Sequence, residues 1–571
     1  MDGNGFRQEL RRRLARDPDR VVLRVVVAPG EPPVEWTGVE LLRQAEALAT
    51  RYVSDGERKV VLILLPHSPE MFLLHLGLVL LGHLPAILSW PTSRMDPEKY
   101  QRNLIHQLRN LPANLVVTVP RLAANLAGQV PYPIDSCEVP RSAEYERIFV
   151  KALAPEPMEA VAEGGDRSIP EAALFLQFSG GTTGAQKAVV VTCDMLTDQL
   201  ERLAAQVGFT ESDGVVSWLP LYHDMGLIAC LWFPLWLGAP SLHLSAGDWL
   251  LGAELVFRYL SEYRGTFCWQ PNFAFAYLTQ QKARMTGNYA LGHVRAWINC
   301  SEPVRRGSLD AFADTFAVWG VRRDQLQTSY AMAENTFAVS QSTLGTPPPT
   351  VPRSRLEGKG KLAVLPELAF SLLDDAFLSS GKLLPRTELR IVGADDVERG
   401  PEEPGEILLR SPSLFSGYWG SKGFSRTSLT EEGWHRTGDF GFVSAGELYV
   451  TGRVKDMIIV GGQNVFPEDV EAVVNSTDGI YPGRVVAFGV QDGQYGTESM
   501  VVIAELRGDF DPAAAKAVER RISAAVLSAV GIAPRRVAVV PERWIVKSTA
   551  GKISRRETRE RFLSEQPNKP S

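Results

Sequence analysis

Apolar residues in the first half of the chain recur in two rhythms. Unbroken runs at 60–65 (VVLILL) and 114–119 (NLVVTV) are partly β-branched and bounded by turn residues, which predicts buried strands. Around them, residues 39–52 (through Leu41, Leu42, Ala45 and Leu48) and 71–81 repeat at helical spacing. Such alternation predicts mostly parallel sheets covered by helices. Two apolar stretches, 71–90 and 225–244, approach the length of a membrane span. His75, His83 and Pro85 break the first and Pro234 and Pro240 the second, so both predict buried helix-then-strand units in a soluble protein.

Near residue 453 the texture changes. A strand is predicted to end over 448–450, and a polar turn over 451–456 follows. After the apolar run 457–460, Pro467, Glu468 and Asp469 open a helix, a proline with acids in the first turn. Strands are predicted at 484–490, 500–506 and 537–540, and an amphipathic helix at 513–530. This makes an α+β unit of about a hundred residues. The expected division is residues 1–452 and 453–571, with a frayed tail from Ser564 onward.

Composition narrows the class. A chain of 571 residues is too long for one hydrophobic core. With 45% hydrophobic and 22% charged residues it reads as an ordinary globular protein. A net charge of -6 argues against a dedicated nucleic-acid binder. The five cysteines form no CxxC pair, which fits a reducing cytosol. The polar, Arg-rich start lacks the apolar run of a secretory signal, so the expected location is cytoplasmic.

Candidate chemistry lies in five segments. Residues 178–189 read FSGGTTGAQKAV: glycines let backbone amides approach an anion, two threonines add hydroxyls, and Lys187 adds charge. The spacing is neither that of the GxxxxGK[ST] nucleotide loop nor of the dinucleotide fingerprint. Taken alone it is equally an ordinary surface loop. Further on stand SYAMAENTFA (329–338), TGDFG (437–441), VTGRVKD (450–456) and VKSTAGKISRR (546–556). Singly, the last three read as turns and solvated basic loops; the five in this order are a stronger signal.

With these motifs the sequence resembles the adenylate-forming superfamily of acyl-CoA synthetases, adenylation domains and luciferases. WLPLYHDMGLI (218–228), QPNFAFAYL (270–278) and NCSEPVR (299–305) resemble the fatty acyl-AMP ligases within it, and GEILLRSPSLFSGYWG (405–420) the wider superfamily. The resemblance implies an α/β fold: a large N-terminal ATP- and acyl-binding domain of mixed, mostly parallel sheets, and a small mobile α+β C-terminal lid carrying the catalytic lysine. It also implies that a carboxylate attacks the α-phosphorus of ATP, giving acyl-AMP and pyrophosphate, before a thiol takes the acyl group. That thiol is the phosphopantetheine of an acyl carrier protein or CoA.

On the same resemblance, Ser179, Gly180, Gly181, Thr182, Thr183, Gly184 and Lys187 would cradle the phosphates. Glu334 would hold Mg²⁺, a hard ion suited to oxygen ligands. Ser301, Glu302, Pro303, Tyr330, Ala331 and Met332 would surround the adenine. Asp439 would accept from the ribose hydroxyls, and Arg453 would also reach them. Lys552 would bridge the carboxylate and α-phosphate as charge develops. Lys455 would be the hinge between the two domains, and His223 would wall the acyl pocket, beside Phe273, Phe275 and Trp297. Each of these last residues is equally at home as core.

Gly180, Gln186, Ala188 and Ala331 depart from the family pattern, but none removes a charged catalytic group. Gly-Gly in the phosphate loop also resembles aryl-acid-activating domains. Between Glu334 and Gly381 lie 46 residues, room for a segment resembling the insertion of fatty acyl-AMP ligases, associated there with carrier protein rather than CoA. The loop at 461–467 (GGQNVFP) looks instead like that of CoA-transferring synthetases, and residues 346–361 are equally readable as a solvated loop. Acyl- or aryl-CoA synthesis is the enzymatic alternative, and a catalytically silent nucleotide or carrier-protein binder is the alternative from another class. Retention of Lys552, Glu334, Asp439 and Arg453 disfavours the last.

Overall fold

The computed structural model describes residues 2–565, apart from 54–55, 92–96, 141–169, 179–186, 303, 357–358, 360–375, 416, 421–422, 426–428, 461–462, 493–496 and 548–552. The buried runs read from sequence become central strands. Val60–Leu64 lies between Leu84–Ile87 and Leu115–Thr118, parallel to both. Around these three an eight-stranded sheet assembles among the described residues. Its antiparallel end holds Ala173–Phe178, Ala188–Thr192 and Tyr418–Gly420. The expected helices appear as Gly38–Ala49, with a Thr37–Glu40 capping box, and Pro69–Leu80, with Ser68 as N-cap and Pro69 at its start.

A second sheet, of nine strands among the described residues, carries Val21–Val25, Ser241–His243, Val215–Ser217, Phe267–Gln270, Ala296–Asn299 and Leu326–Ala331 side by side and parallel. The segments 218–223, 271–273, 300–302 and 332–337 follow four of these parallel strands and so leave the sheet at the same edge. Strand burial is complete on both faces at 267–270 and 296–299, as expected where helices cover a parallel sheet. Phe275 and Trp297 are fully buried and pack on Phe312. They are core, whereas Phe273 is exposed.

The stretch 225–244 is helical and then a strand, as read, but its first part is an eight-residue π-helix, Met225–Trp232. Hydrophobic spacing does not separate this winding from an α-helix. A Cβ at Gly226 would lie 2.2 Å from the Pro220 carbonyl oxygen, so only glycine lets the turn 220–223 press on this helix.

An antiparallel sheet follows, of four strands among the described residues, ending in the hairpin His435–Ser444 and Glu447–Arg453. The second strand runs three residues past the predicted end at Val450. Arg453 stays in the ladder because it faces Asp439 in register. Beyond it, strands Ile480–Asp492, Thr497–Leu506 and Arg536–Val540 form a sheet with helices Pro467–Asn475 and Pro512–Val530. These elements gather their own apolar clusters, one around Val470, Ile522 and Val502 and another around Phe488, Ile545 and Phe562.

Candidate active site

Two chains of contacts lead away from the strand Leu326–Ala331. The first runs through Glu334, in the short turn Ala333–Asn335 just beyond it. Its Oε1 accepts the Tyr418 hydroxyl at 2.7 Å. Tyr418 sits opposite Val189 across the sheet, and the Lys187 ammonium lies 4.5 Å from the centre of its ring. This cation–π contact holds a positive charge beside the carboxylate without neutralising it by a direct ion pair.

The expected phosphate loop, Ser179 to Gly184, lies outside the described residues, but both its feet are fixed. Phe178 pairs with Ala188 in an antiparallel hairpin, and the Gln177 amide donates to the Thr336 carbonyl at 3.3 Å. Lys187 and the Glu334 turn are therefore tied to the same hairpin. Thr336 has φ +62°, a conformation uncommon outside glycine, and its hydroxyl donates to Ser413 O at 2.9 Å.

The second chain starts at Tyr330. Its buried hydroxyl donates to Asp439 Oδ2 at 2.5 Å, and Arg453 Nε lies 3.0 Å from Asp439 Oδ1. Gly438, at φ +70°, turns the backbone immediately before Asp439, and the Asp439 N–H donates to Thr437 Oγ1 at 3.0 Å. Burial, then the Asp439 charge, pushes the Tyr330 phenol well above its usual range. Asp439 in turn raises the Arg453 guanidinium, with Glu334 adding to the effect. Lys455 is exposed, and desolvation on the side facing the protein, followed by repulsion from Arg453, lowers its ammonium; Lys187 is among the repelling groups. Lys187, Glu334, Asp439, Arg453 and Lys455 thus share one electrostatic neighbourhood.

Other expected residues lie at the ends of the parallel strands or in the loops that follow them. Ser301 adopts φ +69°. Glu302 accepts the Phe273 N–H at 3.0 Å, capping the helix Asn272–Gln281, a structural task besides any contact with adenine. Met332 and Ala331 lie on the backbone between Tyr330 and Glu334; Met332 N donates to Phe337 O at 2.9 Å. His223 pairs through Nδ1 with Asp224 Oδ1 at 2.5 Å, at the start of the π-helix. Pro303 and Lys552 lie outside the described residues.

Sequence reasoning passed over several residues that the fold brings in. Tyr418 lay inside a quoted motif, yet nothing in the linear pattern joins it to Glu334. Asp469 opens the helix at 467, where it reads as an ordinary first-turn acid. In the structure it is buried between two arginines: Arg353 reaches it through Nη1 and Nη2 at 2.9 and 3.0 Å, and Arg305 at 3.3 Å. Despite its burial the arginines hold its carboxyl below the usual range. Arg353 belongs to the stretch read as a solvated loop. There Thr350–Pro352 instead pairs with Ala376–Leu378, and Val351 and Leu356 pack on Phe440, Phe442 and Phe466.

A metal at this site would have one protein carboxylate. No group of three His, Cys, Asp or Glu that could hold an ion occurs among the described residues. Glu334 alone, beside Lys187, suits Mg²⁺ shared with substrate phosphates, which needs few protein ligands. No described helix is long and apolar enough to cross a membrane.

The architecture is that of the adenylate-forming enzymes. A solved structure from studies of fatty acyl-adenylate ligases of E. coli and L. pneumophila matches with TM-score 0.80 at 23% identity, over 98% of this chain and 98% of that one. The sequence agrees: the profile of the AMP-binding enzyme family matches residues 10–419. The chain is 32% identical to the long-chain-fatty-acid–AMP ligase FadD28 of Mycobacterium tuberculosis over 422 residues, 69% of this chain and 70% of that protein. With FadD26 of Mycobacterium marinum, a protein of the same description, identity is 29% over 542 residues, 90% of this chain and 89% of the relative. The chain belongs to the AMP-binding enzyme family.

Proposed function

We propose that this protein is an ATP-dependent, AMP-forming ligase that activates a fatty or other hydrophobic carboxylic acid and passes the acyl group to a carrier-protein thiol. In the first step a carboxylate oxygen bonds to the α-phosphorus of ATP. The bond to the bridging oxygen breaks, and pyrophosphate leaves with the electron pair. In the second, the phosphopantetheine sulfur bonds to the acyl carbon, AMP leaves, and the thiol proton passes to solvent.

One observation carries this reading: a cation, a lone carboxylate and a carboxylate–arginine pair, all attached to the two ends of one short segment, 330–334. Lys187 and the loop before it would hold the β- and γ-phosphates. Asp439, its orientation set by Tyr330 and Arg453, would accept from the ribose hydroxyls. Glu334 would hold Mg²⁺, which would neutralise phosphate charge when bound. Two anions must meet in the first step, so fixed positive charge supplies much of the catalysis. Lys552 would add such charge between the carboxylate and the α-phosphate. We place the boundary between the two domains at 452/453 and the hinge at Lys455; two apolar clusters made only of residues from 458 onward support this division, while Phe466 packs with Val351, Phe440 and Phe442.

Carrier protein is favoured over CoA by the segment between Glu334 and Gly381. Its described part is packed, and its Arg353 grips Asp469 on the helix Pro467–Asn475. The relatives named above carry the description of AMP ligases, which also supports the reading. Acid-dependent exchange of labelled pyrophosphate into ATP tests the first step. It should occur with medium- and long-chain fatty acids and vanish in Lys552→Ala and Asp439→Ala; silence with every acid would leave a binding protein.

A further inference from the structure

The loop that carries Lys552 is closed at its feet. Lys547 and Ile553 form an antiparallel bridge, and Ser554 N donates to Val546 O at 2.8 Å. Val546 N donates in turn to Thr558 Oγ1 at 3.2 Å, and Thr558 is buried. The residue after Ser554, Arg555, opens the helix Arg555–Ser564. Its guanidinium is engaged on every edge. Nε donates to Ala487 O at 2.9 Å, and Nη1 to Asp456 Oδ2 at 3.0 Å. Nη2 reaches Glu468 Oε1 at 3.2 Å and Glu471 Oε1 at 2.9 Å. Glu471 Oε1 also accepts the Ala487 N–H at 2.9 Å.

An arginine in a first helical turn faces the positive end of the helix dipole, an unfavourable place for a cation. Three carboxylates converge on it nonetheless, and all four side chains are between 17 and 19% exposed. A flat guanidinium with donors in a fixed fork sets the angles among its partners, which an ammonium on a flexible stem does not. Those partners are the strand residue Ala487, the helix Pro467–Asn475 and Asp456, the neighbour of Lys455. One side chain thus fixes the base of the loop relative to the junction.

We propose that Arg555 is a positioning residue for adenylate formation, holding the foot of the Lys552 loop at a set place relative to the 455–456 junction. This rests on the reading of Lys552 as the reactive lysine and Lys455 as the hinge. A lysine charge acts on the developing charge only if it arrives in the right place, and an ångström of misplacement costs on the order of a hundredfold in rate. If Arg555 acts through Lys552, its loss slows the first half-reaction and leaves the second nearly intact. A residue needed only for folding would impair both.

The test uses the full-length protein, dodecanoic acid, ATP and Mg²⁺, and compares Arg555→Met, Lys552→Ala and the double variant. Arg555→Met is expected to lower kcat for acyl-AMP formation by roughly 30- to 100-fold, with KM for ATP within about threefold. Thiol transfer from preformed dodecanoyl-AMP should stay within about threefold, and the double variant should be no more than about twofold slower than Lys552→Ala. Multiplicative losses in the double variant, or equal losses in both half-reactions, overturn the proposal. Full adenylation by Lys552→Ala would sink the proposed function instead. Should Arg555→Met fail to fold, Asp456→Asn decides: the proposal requires the same split at smaller amplitude, and unchanged adenylation kinetics or equal losses contradict it.

Discussion

Asp439 and Arg453 stand opposite each other in register across an antiparallel hairpin, joined by a contact of 3.0 Å, while the second oxygen of Asp439 takes the Tyr330 hydroxyl at 2.5 Å. The carboxylate is thereby fixed in rotation, yet each oxygen keeps a further lone-pair direction for a ligand hydroxyl. Tyr330→Phe is expected to lower folding stability by about 1.5–3 kcal/mol, since a buried carboxylate loses a charge-assisted donor. Urea denaturation measures this. A loss below about 0.5 kcal/mol would mean that the hydroxyl does not hold Asp439 in place.

Asp469 holds two arginines from distant parts of the chain. Removing its charge leaves the Arg353 and Arg305 guanidinium groups around a neutral amide, with no anion between them. Asp469→Asn should therefore destabilise the protein by about 3–5 kcal/mol, the range for breaking a buried ion pair by removing one partner. Wild-type unfolding midpoints would show that the cluster adds nothing net.

Glu334 is a lone carboxylate steadied by Tyr418. Glu334→Gln should raise the Mg²⁺ concentration needed for half-maximal pyrophosphate release by about tenfold or more. Tyr418→Phe should move it less, since only an orienting bond is lost. An unchanged Mg²⁺ profile for Glu334→Gln would remove this residue from the metal site.

Two buried histidines, His75 and His243, and a partly buried one, His67, make the fold acid-sensitive. Burial depresses His67 to about 4 and His75 and His243 to about 3, from an ordinary value of 6.5. A depressed folded value means that the unfolded chain binds the proton more tightly. Stability is therefore complete above pH about 6.5 and declines as pH falls towards about 4 for His67 and about 3 for the others. At pH 5 each contributes a loss of about 2 kcal/mol. His243→Leu should shrink the difference in unfolding free energy between pH 7 and pH 5 by that amount; an unchanged difference would mean that His243 already titrates normally.

Much of the scaffold was legible in sequence because burial on both faces leaves unbroken apolar runs. Residues 60–65, 114–119 and 513–530 became Val60–Leu64, Leu115–Thr118 and Pro512–Val530. The end of the strand at Val450 was misplaced because pairing with Asp439 is a cross-strand property. The π-helix at Met225–Trp232 was invisible for a similar reason: its apolar residues satisfy either winding. Charged motif residues could be found singly, but their partners could not. Tyr418 lies 84 positions from Glu334, and Arg353 lies 116 from Asp469. Only the folded chain brings such residues together.

The central claim is that this chain makes acyl-AMP and hands the acyl group to a carrier protein. Its most direct test incubates the protein with ATP, Mg²⁺ and a series of fatty, aryl and amino acids, with CoA or a phosphopantetheinylated carrier protein as acceptor, and identifies the products by mass. The account predicts acyl-AMP from fatty acids and acyl-loaded carrier protein, with little acyl-CoA. Efficient acyl-CoA formation, or a preference for aryl or amino acids, would contradict it.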